Sequence, residues 1–119
     1  MDGSENTEFN RRLAEQESEK QRLRSDIDGY HITLWNLRKL IDKKIGFFVD
    51  HKISAEKIEE LRTMQARLSD LISNIEEGVQ AKLDLDSEAL KEIHEYLRVE
   101  VGRLNYEYEH MFDPQRPAS

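Results

Sequence analysis

"LRSDIDGYHITLWNLRKLI", residues 23–41, carries apolar side chains at Leu23, Ile27, Tyr30, Leu34, Leu37 and Ile41, in alternating steps of four and three. A helix turning about 100° per residue gathers those six onto one face, whereas a strand would scatter them over two. The spacing predicts a helix with a heptad seam. Carried toward the N-terminus, the same register reads Lys20, Gln16, Leu13 and Phe9, so the seam turns polar but stays in phase. Residues 1–22 are expected to form a charged, coiled-coil-like arm that prolongs helix one, or to fray. Gly29, next to Asp28, is a candidate hinge, since glycine costs about 1 kcal/mol relative to alanine inside a helix.

Two more segments repeat the pattern. Ile58, Leu61, Met64, Leu68, Leu71, Ile72, Ile75 and Val79 form a second apolar stripe, and Leu90, Ile93, Leu97, Val101, Leu104, Tyr108 and Met111 a third. Their starts are marked by the same device. Ser54 and Asp86 are N-cap residues, and the pairs Ile53/Ile58 and Leu85/Leu90 stand at the positions of hydrophobic staples. Asp113-Pro114 is the expected stop, because the residue before a proline avoids helical geometry. Between the first two stripes lies "KKIGFFVDHK", residues 43–52. Here the reading is a helix end: Gly46 as a left-handed C-cap, Lys43 and Lys44 facing the negative end of the helix dipole, and Phe47 folded back on Ile41. On this reading the phenylalanines line the corner between helices one and two. Asp42 and Asp50 flank the stretch and argue against a membrane-touching loop. The expected fold is all-α: an antiparallel three-helix bundle over residues 23–112, with the 1–22 arm and a flexible C-terminal tail, 113–119.

Bulk composition agrees and narrows the function classes. Of 119 residues, 36% are charged and 37% hydrophobic, with only 5 Gly and 2 Pro, a mix that suits long solvated helices. No run approaches the roughly 18 apolar residues of a membrane span. The opening "MDGSENTEFN" lacks the basic and apolar regions of a secretory signal, and cysteine is absent, so a cytoplasmic protein is expected, with the nucleus open. The net charge of −7 is unevenly spread. Residues 1–19 hold six acids and two bases, residues 20–57 nine bases and five acids, and residues 58–119 seven bases and fourteen acids. A mildly basic middle inside an acidic chain makes a poor nucleic-acid binder, because several phosphates must be neutralised together.

Chemistry-bearing motifs are scarce. There is no Gly-rich phosphate loop and no nucleophile–base order, so no enzyme activity and no cofactor are expected. Glu107 and His110 have the Glu-x-x-His spacing of carboxylate-bridged metal centres in bundles. They lie about 60° and 120° from Leu104, at the solvent border, and helix two places no carboxylate in its stripe. No metal is expected there. His94-Glu95 resembles, over two residues only, the phosphoacceptor helices of two-component signalling. The following "YLRVEVG" lacks their arginine, proline and small-residue pattern. His31 and His51 have no partner at helical spacing and read as surface residues.

The informative residues are apolar ones on the wrong face. On helix one, Trp35 points about 120° from the seam and Ile32 nearly opposite it, with Lys39 alongside. On helix three, Val99 and Tyr106 face away from the core stripe, with Gly102 between them and Tyr96 and Arg103 at their edge. Tryptophan and tyrosine are enriched at binding hot spots, and a glycine lets another helix come close. The expectation is a non-enzymatic helical interaction module of adaptor, chaperone or assembly type. It would bind through Ile32, Trp35, Lys39, Tyr96, Val99, Gly102, Arg103 and Tyr106 to another protein or to its own copy as a homo-oligomer. An arm folded back at Gly29 over Ile32 and Trp35 is the competing arrangement. A histidine- or metal-dependent signalling domain is the alternative function, followed by a weak nucleic-acid or membrane-surface binder using residues 38–57.

Overall fold

The computed structural model describes residues 3–112, with side chains from residue 7 onward. Three α-helices account for most of it: α1, Gly3–Asp50; α2, Ala55–Ile75; and α3, Ser87–Met111. A π-helical turn, Glu76–Gln80, continues α2. The described chain extends 77 × 29 × 16 Å, and α1 alone, at 48 residues, supplies the long dimension.

Cross-helix contacts give the direction of each helix. Along α1, Arg24 meets Val79 and Lys82, His31 meets Glu76, and Asp42 meets Gln65, so α2 descends as α1 rises. Glu19 meets Lys91, Asp26 meets His94, and Phe48 meets Phe112, so α3 runs alongside α1 in the same sense. Arg67 meets Glu100 and Glu107, and Lys57 meets the Met111 carbonyl, so α2 and α3 are antiparallel. This is an up-down-up three-helix bundle.

The heptad seam is its spine. Leu23, Ile27, Leu34, Leu37 and Ile41 are buried against Leu61, Met64, Leu68, Leu71, Ile72 and Ile75 of α2 and Leu90, Leu97, Val101 and Leu104 of α3. Among the described residues no polar or charged residue is buried in this core. Both N-caps form as read: the Lys57 amide donates to Ser54 Oγ at 3.2 Å, and the Ala89 amide to Asp86 Oδ1 at 2.8 Å. Leu90 is fully buried beneath its half-buried partner Leu85, whereas Ile53 stays 38% exposed over a half-buried Ile58.

Helix one departs from expectation at two places. It runs unbroken through Gly29, where the Thr33 hydroxyl donates to the Gly29 carbonyl at 3.0 Å. The arm therefore does not fold back over Ile32 and Trp35. The helix also passes through Gly46 and ends at Asp50. Its C-cap is built at Lys52, in the left-handed region with φ 51°. The Ile53 amide donates to the Phe48 carbonyl at 2.9 Å and the Lys52 amide to the Val49 carbonyl at 3.2 Å. That is a Schellman motif with lysine where glycine is usual. The extra turn buries Phe48, which meets Phe112 edge-on with ring centroids 5.7 Å apart. Lys43 and Lys44 thus precede the last turn, which holds no basic residue. Lys44 instead sits 5.2 Å over the Phe112 ring. Phe47 does not fold back on Ile41; it stays 51% exposed and stacks on His51 with centroids 4.2 Å apart.

Helix two ends differently from its stripe. The α-helix stops at Ile75, and the π turn carries Val79 into the core at 3% exposure. The Ala81 amide closes that turn on the Glu76 carbonyl at 3.0 Å. Arg24 then donates to the Val79 and Lys82 carbonyls at 3.3 and 2.8 Å, tying the end of this turn to α1; the Val79 carbonyl also accepts from the Lys82 amide at 3.1 Å. Helix three ends at Met111, just before the expected stop. Asp113-Pro114 and the tail lie outside the described residues.

Candidate functional site

Helices α2 and α3 each pack closely on α1 and only sparsely on each other. Near α3's C-terminal half, Arg67 bridges the two helices, with Nη1 3.0 Å from Glu107 Oε2 and Nη2 4.0 Å from Glu100 Oε2. Arg103 joins the same group, 3.3 Å from Glu100 and 3.5 Å from Glu107. Toward the π turn a groove of about 520 Å³ lies between the two helices. Leu71 and Ile75 form one wall, Ile93 and Leu97 the other, with Tyr96 on the rim and Gly78 among the lining residues. A Cβ built on Gly78 meets no atom within 4 Å, so the π turn leaves open space there. Glu77, Glu92 and Lys82 stand around the mouth. An extra residue in a helix turn re-aims the side chains that follow, and such π bulges recur at functional sites.

The eight residues expected to bind a partner divide among different surfaces. Tyr96, 57% exposed, belongs to the groove. Arg103 is tied into the Arg67 cluster described above. Val99 and Tyr106 are exposed on the outer face of α3, with exposed Gly102 between them, and the Tyr106 ring stacks on His110 with centroids 3.9 Å apart. On α1, Ile32 is 60% exposed and Lys39 is exposed. Trp35 is 36% exposed, because its own neighbours cover much of it. The indole Nε1–H donates to His31 Nε2 at 3.2 Å, and Arg38 lies 5.2 Å from the ring centroid. Each outer face points away from the shared core, so the structure does not join the α1 and α3 patches into one surface.

Two histidines, His31 and His94, have partners across helices. His31 Nε2 lies 2.9 Å from Glu76 Oε2 at the start of the π turn. That one nitrogen serves Glu76 when it carries a proton and Trp35 when it does not, since it cannot donate and accept at once. His94 Nε2 lies 2.9 Å from Asp26 Oδ2, with its ring 5.5 Å from Tyr30. Periodicity within one helix cannot reveal such pairs, because their partners are 45 and 68 residues away. His51 Nδ1 lies 2.9 Å from the Phe47 carbonyl of its own helix end.

The groove itself was hidden in the sequence. Its walls are the core stripes of α2 and α3, and only the adjacent pair Leu71-Ile72 hints that the α2 stripe serves two neighbours. Both of those residues are buried, at 6% and 2% exposure.

Shifted proton affinities lie away from the groove. The Glu19 carboxylate accepts from and attracts Lys91, holding its ammonium above the usual range. Hydrogen bonds from Arg98 hold Glu95 below the usual carboxylate range, and burial pushes the Tyr108 phenol up. Among the described residues no three His, Asp or Glu side chains converge as a metal site would need. Glu107, half of the Glu-x-x-His pair, is held by the two arginines of the α2–α3 cluster. Nor is any described helix long and apolar enough to cross a membrane. Set against protein-family models, curated proteins and solved structures, the chain matches none of them.

Proposed function

We propose that this protein is a non-enzymatic helical interaction module, and that the α2–α3 groove receives an apolar helix face of a partner protein. The observation that carries the reading is the groove between α2 and α3 beside the π turn, with buried Leu71, Ile75 and Leu97 as its floor and half-buried Ile93 and exposed Tyr96 along its open side. A channel between two antiparallel helices matches the ridge of a third in shape, the geometry of helix-in-groove recognition. Tyr96 adds an aromatic with a polar tip at the rim, the residue type most often found where binding energy concentrates. The acids at the mouth, Glu77 and Glu92, favour a partner helix with basic flanks. The outer faces with Ile32 and Val99 are secondary contacts in this reading.

Gly78 supplies the test. A leucine there fills the channel from within without meeting another atom at its Cβ. A photo-crosslinking benzoylphenylalanine placed at position 96 in living cells is expected to give a discrete adduct with another polypeptide, and Gly78→Leu is expected to abolish it while circular dichroism stays helical. No adduct at position 96, or one untouched by Gly78→Leu, would remove the groove as the binding site.

A further inference from the structure

The groove is one end of a longer surface. Both α2 and α3 lean on α1 and hardly on one another, and Arg67 spans the space between them with a long side chain instead of a close approach of backbones. Helices so placed resemble the diagonal pair of a four-helix bundle, with α1 at a third corner. On the side away from α1, their edges carry two rows of different chemistry. The α3 row is Tyr96, Val99, Arg103, Tyr106 and His110, in steps of three and four. Its members lie about 80–160° from buried Leu104, in the direction of the Glu100 and Glu107 that meet Arg67. Tyr96 rims the groove, while Val99 and Tyr106 carry the same row on, both exposed. The α2 row is Thr63, Arg67, Asp70, Asn74 and Glu77, also in steps of four and three and wholly polar. Arg67 and Arg103 are tied to Glu100 and Glu107. Asp70, Glu77 and Glu92 form no ion pair among the described residues, and the groove mouth offers one lysine, Lys82.

We propose that a single partner helix of about 20 residues fills the corner opposite α1, with an apolar row on Tyr96, Val99 and Tyr106 and a basic row along Asp70, Glu77 and Glu92. This rests on the groove reading and extends it: the groove seats one end of the helix and the α3 row seats the rest. The length follows from the surface, since residues 92 to 110 span about 27 Å at 1.5 Å per residue. The basic character follows from charge. The acids facing this corner outnumber its uncommitted cation, and the whole chain carries −7, so an acidic helix would be repelled and a basic one drawn in. Aromatic rings beside a row of acids match an amphipathic helix that is leucine-like on one face and rich in lysine or arginine on the next.

Benzoylphenylalanine placed in turn at positions 96, 99 and 106 of the full chain tests this, with position 62, on the opposite edge of α2, as control. The same adduct is expected at the first three positions and none at 62. Mass spectrometry of the adducts is expected to put the joined sites on one partner segment, about three and seven residues apart, with lysine or arginine between them. Asp70→Lys with Glu77→Lys is expected to cut the yield at all three positions at least about tenfold, with helical signal and melting midpoint retained because both side chains are exposed. Asp70→Lys alone, outside the π turn, is expected to give a smaller loss in the same direction. An adduct at 96 with none at 99 and 106 would leave the groove reading standing and overturn this one. A joined segment rich in acids, sites scattered over separate segments, or yields unmoved by the charge reversal would do the same. No adduct at any of the three positions, or one at 96 indifferent to Gly78→Leu, would sink the groove reading and this extension together.

Discussion

Lys52 occupies a backbone conformation, φ 51°, that L side chains adopt at a cost of about 1–2 kcal/mol, while Gly46 sits within α1, four residues before its end, where glycine is the poorest non-proline choice. The two residues stand in each other's natural places. Lys52→Gly is expected to raise stability by about 1 kcal/mol by relieving the cap, and Gly46→Ala by about 0.5–1 kcal/mol. A Cβ at Gly46 meets no atom within 4 Å, so the alanine carries no steric penalty. Chemical denaturation of the two single variants and their combination checks this. If the helix truly ended at Gly46, Gly46→Ala would destabilise instead. Tyr108 offers a second test at this scale. Its phenol is pushed above the ordinary value by burial beside Phe112, so the folded state resists its ionisation. A raised folded value means that this contribution is complete below the unfolded value near pH 10 and is lost as pH rises through the folded one. An ultraviolet titration is expected to show a late phenolate that disappears in Tyr108→Phe, with stability falling through the same alkaline range.

At the scale of the element, the helices were legible because their signals are local. The steps of four and three in residues 23–41 name a buried face, and Leu23, Ile27, Leu34, Leu37 and Ile41 are all within 5% of complete burial. Ser54 and Asp86 were legible for the same reason, since each cap bonds an amide three residues away. Helix ends were less so. Glycine is the commonest C-cap, but the chain extends one more turn because burying Phe48 against Phe112 outweighs a strained lysine. The π turn left no mark in the sequence, because a single inserted residue shifts the phase of Val79 by no more than the ordinary width of an apolar stripe. The groove was illegible too, because its lining comes from two helices whose spacing no single stripe records. Tyr96 alone among its lining residues was singled out from sequence, as an aromatic off the core stripe. Trp35 was read correctly as lying off the seam, yet its cover is mostly local, by His31 and Arg38, which a search for distant partners passes over.

For the whole molecule, α1 is the element both others depend on. Buried side chains of α2 and α3 converge on its seam, while α2 and α3 reach one another chiefly through the Arg67 cluster and the Lys57–Met111 contact. Cooperative unfolding should therefore centre on residues 23–48 of α1, where breaking the helix removes both neighbours at once. The arm behaves differently. A free helix of about 16 residues is marginal in water because its first turn is costly to form, but here the bundle supplies that nucleus and the arm only has to propagate from it. It is expected to fray progressively from its far end. Hydrogen exchange at low protein concentration should then show the slowest amides between Ile27 and Ile41, and a graded loss of protection from Lys20 down to Phe9. The Arg24 clamp on the Val79 and Lys82 carbonyls should mark the boundary between the two regimes. A flat protection profile across Lys20 in dilute solution would mean that the arm and bundle unfold as one unit, and that something other than the bundle's own core is holding the arm in place.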